Sequence, residues 1–282
     1  MEEFIGIPID DVRAYWNRRP CNIRHSTAPI GTREYFDQVE ARKYLVESHI
    51  PVFADFARWK DKRVLEIGCG IGTDTINFAR AGAKVTAVDL SSESLDLARK
   101  RAEVFGFEDR IDFHEVNAER LSEYIAPETY DLIYSFGVIH HSPHPEKIIA
   151  EIRDHFVGPD STLKLMVYNR NSWKVLWMLL LEKGRFWDLD KIIAKHSEAQ
   201  SGCPVTYSYS RSSVKGLLGD GFEVEDSFVD HIFPYQIEKY IKHEYEKEWY
   251  WQMMPDSVFR RFERLFGWHL CVTAKVARHH DI

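Results

Sequence analysis

Three groups of residues in this chain have types and spacings that could do chemistry. The first is VLEIGCGIGTDT, Val64 to Thr75, where Glu66 is followed by Gly68, Gly70 and Gly72. Glycine lets a backbone turn tightly and lets a ligand approach without a Cβ in the way. A glycine-rich turn that opens a helix can cradle phosphate. Here the spacing is G-x-G-x-G rather than the dinucleotide G-x-G-x-x-G, and an acid precedes it. A carboxylate pointing at a pyrophosphate would repel it. The same carboxylate suits an amino-acid moiety with a cationic amine. The second group is Asp89, 17 residues after Gly72. An acid at the end of the next strand accepts hydrogen bonds from ribose hydroxyls.

The third group is VIHHSPHP, with His140, His141 and His144. Histidine titrates near neutral pH and is the commonest general base. His140 is the first candidate and His141 the second. The pair equally suits shaping the turn into the next helix or packing beneath a cap. No metal site is expected there. Pro143 and Pro145 break any helix that would align the imidazoles, and no nearby cysteine or carboxylate completes a ligand set.

Elements must hold these residues. Apolar β-type runs at 63–69, 84–90, 111–117, 131–137 and 162–168 alternate with helical patterns at 73–82, 92–106 and 145–156. Ser91 or Ser92 suits the N-cap of the second helix. Gly82 and Gly106 sit where helix C-terminal glycines belong. Such alternation predicts βαβ units and a mostly parallel sheet with helices on both faces. Two more strand patterns come late, at 222–229 and 269–277. Residues 1–60 form a leader or lid, and 61–282 form the core, with insertions at about 169–220 and 230–268. The leader and insertions are expected to build a helical cap. Ligands of open α/β sheets bind outside the carboxyl ends of the strands, where such segments gather.

Taken together, E-x-G-x-G-x-G (Glu66 to Gly72), AVDLS around Asp89, NAERL from Asn117 and YDLIYSFGVIHH from Tyr130 resemble a class I S-adenosylmethionine-dependent methyltransferase. The branch is the one that methylates small molecules such as ubiquinone precursors and sterols. The resemblance covers residues 61–168 and implies a Rossmann-like, seven-stranded sheet whose last strand runs antiparallel. It implies that Gly68, Gly70 and Gly72 wrap the methionine part and that Asp89 holds the ribose. Leu90 would lie against the adenine, Asn117 and Ala118 would meet its edge, and Ser135 and Phe136 would lie beside the methionine moiety. Many members carry aspartate where this chain has Asn117.

The acceptor side is less defined. Arg24, His25 and Arg33 make the leader locally basic, and arginine suits bidentate contact with an anion. Tyr207, Tyr209 and Tyr235 are candidates to line a pocket, though aromatic density also serves packing. These features pull in different directions on acceptor charge.

The formal net charge of −7 argues against a general nucleic-acid binder. The expected partner is a small-molecule acceptor, because a large cap would enclose a pocket that suits one, as the resemblance also implies. The four cysteines are scattered without a CxxC pair, which suits reduced thiols and a cytoplasmic setting. The most apolar run, Trp173 to Leu181, has nine residues, whereas a membrane span needs about 20. A protein or RNA methyltransferase, or a scaffold that binds the cofactor without turnover, is the alternative. A dinucleotide oxidoreductase is disfavoured by Glu66 and the glycine spacing.

Overall fold

The computed structural model describes residues 3–200 and 202–277, except for the side chains of 198–200. Seven strands form one sheet: β1 (Arg63–Ile67), β2 (Lys84–Asp89), β3 (Ile111–Glu115), β4 (Leu132–Phe136), β5 (Thr162–Tyr168), β6 (Phe222–Asp230) and β7 (His269–Val276). Their order is β3-β2-β1-β4-β5-β7-β6. Strands β1 to β5 pair in parallel, and β7 runs antiparallel to both neighbours, β5 and β6. The sheet is therefore the Rossmann-like one that the strand–helix alternation and the resemblance predict.

The helices follow in chain order. The leader carries α1 (Ile9–Arg18), α2 (Arg33–Val46) and α3 (His49–Ala54). The core adds α4 (Thr73–Arg80), α5 (Ser92–Phe105) and α6 (Pro145–His155). The first insertion holds α7 (Trp173–Leu181), α8 (Leu189–Gln200) and α9 (Arg211–Leu218). The second holds α10 (Ile237–Ile241), α11 (Trp249–Gln252) and α12 (Asp256–Phe266). No helix among the described residues is long and apolar enough to cross a membrane.

Strand side chains alternate between the two faces of a sheet. In β1, Val64 joins one core cluster while Leu65 and Ile67 join the other. In β4, Leu132 and Tyr134 go one way and Ile133 the other. Both faces are thus covered, which is why these strands read as continuous apolar runs. Of the two cap candidates for α5, Ser91 is the one used: its hydroxyl accepts from Ser94 N at 3.1 Å. Gly106 closes the same helix in the left-handed conformation.

A buried arginine fixes the leader. Arg101 on α5 is fully enclosed and donates to Thr73 Oγ1 at 2.6 Å, to the Phe36 carbonyl at 3.1 Å and to Glu40 Oε2 at 3.0 Å. One guanidinium therefore locks α2 onto α4 and α5, and with it everything the leader presents to the carboxyl edge of the sheet. The second insertion is tied on in turn through Arg42. Its guanidinium lies 3.9 Å from the Tyr240 ring centroid and contacts His243 Nδ1 at 2.6 Å.

Candidate active site

The strand order reverses between β1 and β4, and an open α/β sheet offers a crevice at that point. A cavity of about 330 Å³ lies there. Its floor is the end of β1 and the following loop (Ile67 to Ile71), the end of β2 (Val88 to Leu90), Val116 to Ala118 after β3, and Phe136 to Val138 after β4.

The loop after β1 is held from below. Gly68 N and Cys69 N both donate to the Val88 carbonyl, at 2.7 and 3.1 Å, and Gly70 N donates to Asp89 Oδ2 at 2.8 Å. Gly68 has φ +79°, and a Cβ there would lie 2.2 Å from Val138 Cγ2. Gly70 has φ +54°, and a Cβ there would meet nothing within 4 Å. The first glycine is thus required by packing. The second leaves open space where a ligand can approach the backbone.

Asp89 accepts from Gly70 N through one oxygen and from Ser91 N at 2.9 Å through the other. The carboxylate keeps acceptor capacity for a hydroxyl donor. Burial raises the Asp89 pKa, and hydrogen bonds from Ser91, Gly70 and Leu90 work against that rise. Leu90, Ala118 and Asn117 share the same wall. The Asn117 amide oxygen accepts from Glu119 N at 3.0 Å and caps the turn Ala118–Glu123, so part of its acceptor capacity is used locally.

Several of the expected residues stand behind the wall rather than in it. Glu66 is buried, and its Oε2 accepts from Thr75 Oγ1 at 2.6 Å. Burial and the neighbouring Asp74 push its pKa up to about 8. Gly72, the N-cap of α4, packs against α5 instead: a Cβ there would lie 3.1 Å from Ala98. Ser135 is fully buried and donates to the Ile67 carbonyl at 3.0 Å, joining β4 to β1. Phe136, one residue on, does reach the cavity.

The histidine pair divides the same way, and this reverses the expected ranking. His140 is 0% exposed and lies outside the cavity wall, its ring 4.0 Å from Tyr168. Neither of its ring nitrogens has a hydrogen-bond partner, and burial drives its pKa well below the usual range. His141 is the member that lines the cavity. Its Nδ1 lies 2.8 Å from the Val205 carbonyl, which can only accept. In the neutral ring Nδ1 therefore carries the proton and Nε2 the lone pair.

The leader contributes Ile9, Val12, Trp16, Cys21, Asn22, Lys43 and Glu47 to the cavity wall. Tyr168 and His269 complete it from the strands. Trp16 packs edge-on to His141, with ring centroids 5.3 Å apart. Lys43 Nζ pairs with Asp74 Oδ1 at 2.8 Å, and the Tyr44 and Tyr134 hydroxyls also reach that carboxylate, at 2.9 and 3.1 Å. Burial would lower the Lys43 pKa, but Asp74 and Glu47 together more than offset it, and the pKa is raised.

None of the six acceptor-side candidates read from the sequence is among the cavity-wall residues. Arg24 is exposed. Arg33 lies on the outer face of α5, donating to the Val104 carbonyl at 3.3 Å and covering Phe105. His25 turns to Tyr240, and burial lowers its pKa to about 3. Tyr207 packs on Phe4, and its backbone N–H donates to the His140 carbonyl at 2.9 Å. Tyr209 is buried behind Tyr168, and Tyr235 stacks with Tyr240. Lys43, Glu47, Trp16 and His269 were not singled out, because nothing local in the sequence marks them; only the fold brings them together.

Residues 64–157 match the family model described as a methyltransferase domain. A ubiquinone biosynthesis O-methyltransferase of Nitrosococcus oceani is 39% identical over 89 residues, covering 32% of this chain and 36% of that protein. The enzyme of the same name from Aromatoleum aromaticum is 34% identical over 119 residues, covering 42% and 49%. The chain thus spans about half or less of the length of these curated relatives. Among solved structures, magnesium protoporphyrin IX methyltransferase from Synechocystis PCC 6803 with bound SAH superposes with a TM-score of 0.59. It is 16% identical, over 96% of this chain and 100% of that one.

Proposed function

We propose that this chain, whose residues 64–157 match a methyltransferase domain within a Rossmann-like class I fold, transfers the methyl group of S-adenosylmethionine to a small-molecule acceptor. The observation that carries the proposal is the open space at Gly70 beside the Asp89 carboxylate, at the reversal point of the sheet. A nucleoside with an amino-acid tail fits such a loop. Asp89 would take the ribose hydroxyls. Leu90, Ala118 and Asn117 would meet the base, and the Gly68–Gly70 backbone and Phe136 would pass the methionine portion. When bound, S-adenosylmethionine supplies a methyl group already activated on a sulfonium.

This chain's own residues then position and enclose. Trp16, Val12 and Ile9 would exclude water over the cavity, and orientation by such a wall can supply much of a rate enhancement. Lys43 offers an ammonium to an anionic group on a ligand. His141, through Nε2, is the general base if the acceptor carries a proton to be lost. The apolar and aromatic wall of Trp16, Phe136 and Tyr168 favours an acceptor with a flat or hydrocarbon body. A leader packed over the cavity suits a small acceptor better than a protein or RNA chain, which needs an open edge.

The test is transfer of labelled methyl from S-adenosylmethionine into a cell extract divided by size. Label in the small-molecule fraction is the expected result, and mass spectrometry of the product would give the acceptor atom. Label confined to protein or RNA would overturn the acceptor class. Absence of S-adenosylmethionine binding by calorimetry would overturn the reaction itself.

A further inference from the structure

One cluster of ligand-type side chains reaches the wall of the same cavity and takes no part in the reading above. Glu47 follows the last turn of α2. His231 follows β6, and His269 opens β7. One ligand atom from each lies within 4.8 Å of the other two. Glu47 and His269 both line the cavity. His269 Nε2 stands 3.7 Å from Glu47 Oε1, too long for a hydrogen bond.

The surroundings resemble those of a ligating set. Metal-bound imidazoles are oriented by a partner on their other nitrogen. His269 Nδ1 lies 3.0 Å from His49 Nε2, and the Val46 backbone hydrogen-bonds His231. His49 Nδ1 in turn approaches Asp230 Oδ1 at 3.8 Å. His231 is also held at φ +72°, a conformation that side-chain-bearing residues rarely adopt and that costs about 1 kcal/mol or more. Its neighbours over-determine that conformation: His231 N donates to Asp230 Oδ1 at 2.7 Å, and Trp268 N donates to the His231 carbonyl at 2.7 Å.

We propose that Glu47, His231 and His269 form a binding site for one divalent transition-metal ion of the Zn²⁺ type, set into the acceptor end of the cavity. Two imidazoles and one carboxylate suit zinc, cobalt or ferrous iron, whereas magnesium and calcium take oxygen ligands. Metal–ligand bonds of about 2.0–2.2 Å require the three side chains to draw in by roughly 1 Å, a side-chain adjustment. Three protein ligands leave a coordination position, and Glu47 and His269 direct it toward the cavity. That position would hold an oxygen or nitrogen atom of the acceptor. This role, though not the site, rests on the methyltransferase reading. The ion would also join the end of α2 to the β6–β7 end of the sheet.

The test is calorimetric titration of the chelator-treated full chain with Zn²⁺, and with Co²⁺ followed by visible absorption, without S-adenosylmethionine. One equivalent of either metal should bind, with a Co²⁺ spectrum of low-symmetry N/O ligation, and Mg²⁺ should not compete. Glu47→Gln, a near-isosteric change at a part-exposed position, should weaken binding about tenfold or more, and so should His231→Ala. Circular dichroism confirms that each variant is folded. Replacement of the exposed His155 by Ala should leave binding unchanged. No stoichiometric binding, affinities unchanged in both ligand variants, or equally tight Mg²⁺ would each overturn the site. So would loss of binding on replacing His279 and His280, which lie outside the described residues, with no loss in Glu47→Gln. Since S-adenosylmethionine binding is measured separately, either proposal can fail alone.

Discussion

The backbone N–H of Gly70 donates to Asp89 Oδ2 at 2.8 Å, so the carboxylate proposed to take a ribose also clamps the loop proposed to face the methionine portion. Asp89→Ala removes both functions. Loss of hydrogen bonds to a charged group costs about 1.5–3 kcal/mol. S-adenosylmethionine affinity should fall by about tenfold to a hundredfold, measured by calorimetry. An Asp89→Ala affinity equal to the wild type would remove Asp89 from the site.

Gly68 and Gly70 should respond differently to the same change. Gly70→Val directs its side chain into open cavity space at φ +54°, so ligand binding should vanish while the fold survives a strain of about 1–2 kcal/mol. Gly68→Val collides with Val138 at 2.2 Å and should lower the thermal midpoint more than Gly70→Val does. Equal midpoints in the two variants would contradict the assignment of Gly68 to packing.

The histidine pair offers a second contrast. His140 buries two ring nitrogens without partners, and each such group costs about 1–3 kcal/mol. His140→Leu should be neutral or stabilising in denaturant unfolding. His141→Ala should lower methyl transfer while leaving S-adenosylmethionine affinity close to wild type. Full transfer activity in His141→Ala would leave the pair with packing roles alone.

Glu66 makes stability depend on pH. Its pKa is raised in the folded state, from 4.5 to about 8, by burial and Asp74. Across that window the folded protein binds more protons than the unfolded chain, so this contribution falls as pH rises from 4.5 to 8 and is flat outside it. Glu66→Gln removes the dependence. The stability difference between Glu66→Gln and wild type should therefore shift in favour of the variant across that window, as read by urea unfolding at several pH values. A constant difference would show that Glu66 titrates normally.

Lys43 and Asp74 form an enclosed pair, with side chains 12% and 3% exposed. Removing one partner of such a pair costs about 3–5 kcal/mol, because the other charge is stranded. Lys43→Met should destabilise by about that much. Asp74→Asn added to it should recover much of the loss, since the Tyr44 and Tyr134 hydroxyls remain to bond the amide. Additive losses in the double variant would exclude the pairing.

The sequence by itself determined the alternation that builds the sheet, the loop after β1, the acid closing β2 and a serine cap on α5, though not which of Ser91 and Ser92 supplies it. Each of these is a short-range pattern. Strand periodicity, capping and left-handed glycines act within a few residues, so they can be read without knowing what packs on them. Which histidine faces the cavity was not legible, since His140 and His141 are adjacent and identical. The turn Ile139–His141 and the Val205 carbonyl decide it. Nor did the basic and aromatic segments disclose their targets: Arg33 and Tyr235 pack outward, while the unmarked Lys43 and Glu47 turn in. The buried Arg101, 65 residues from Phe36 in the chain, seats the leader, and Glu47 meets His269 only because the leader is seated. Contacts across such separations depend on how finished elements stack, and that information exists only in the tertiary structure.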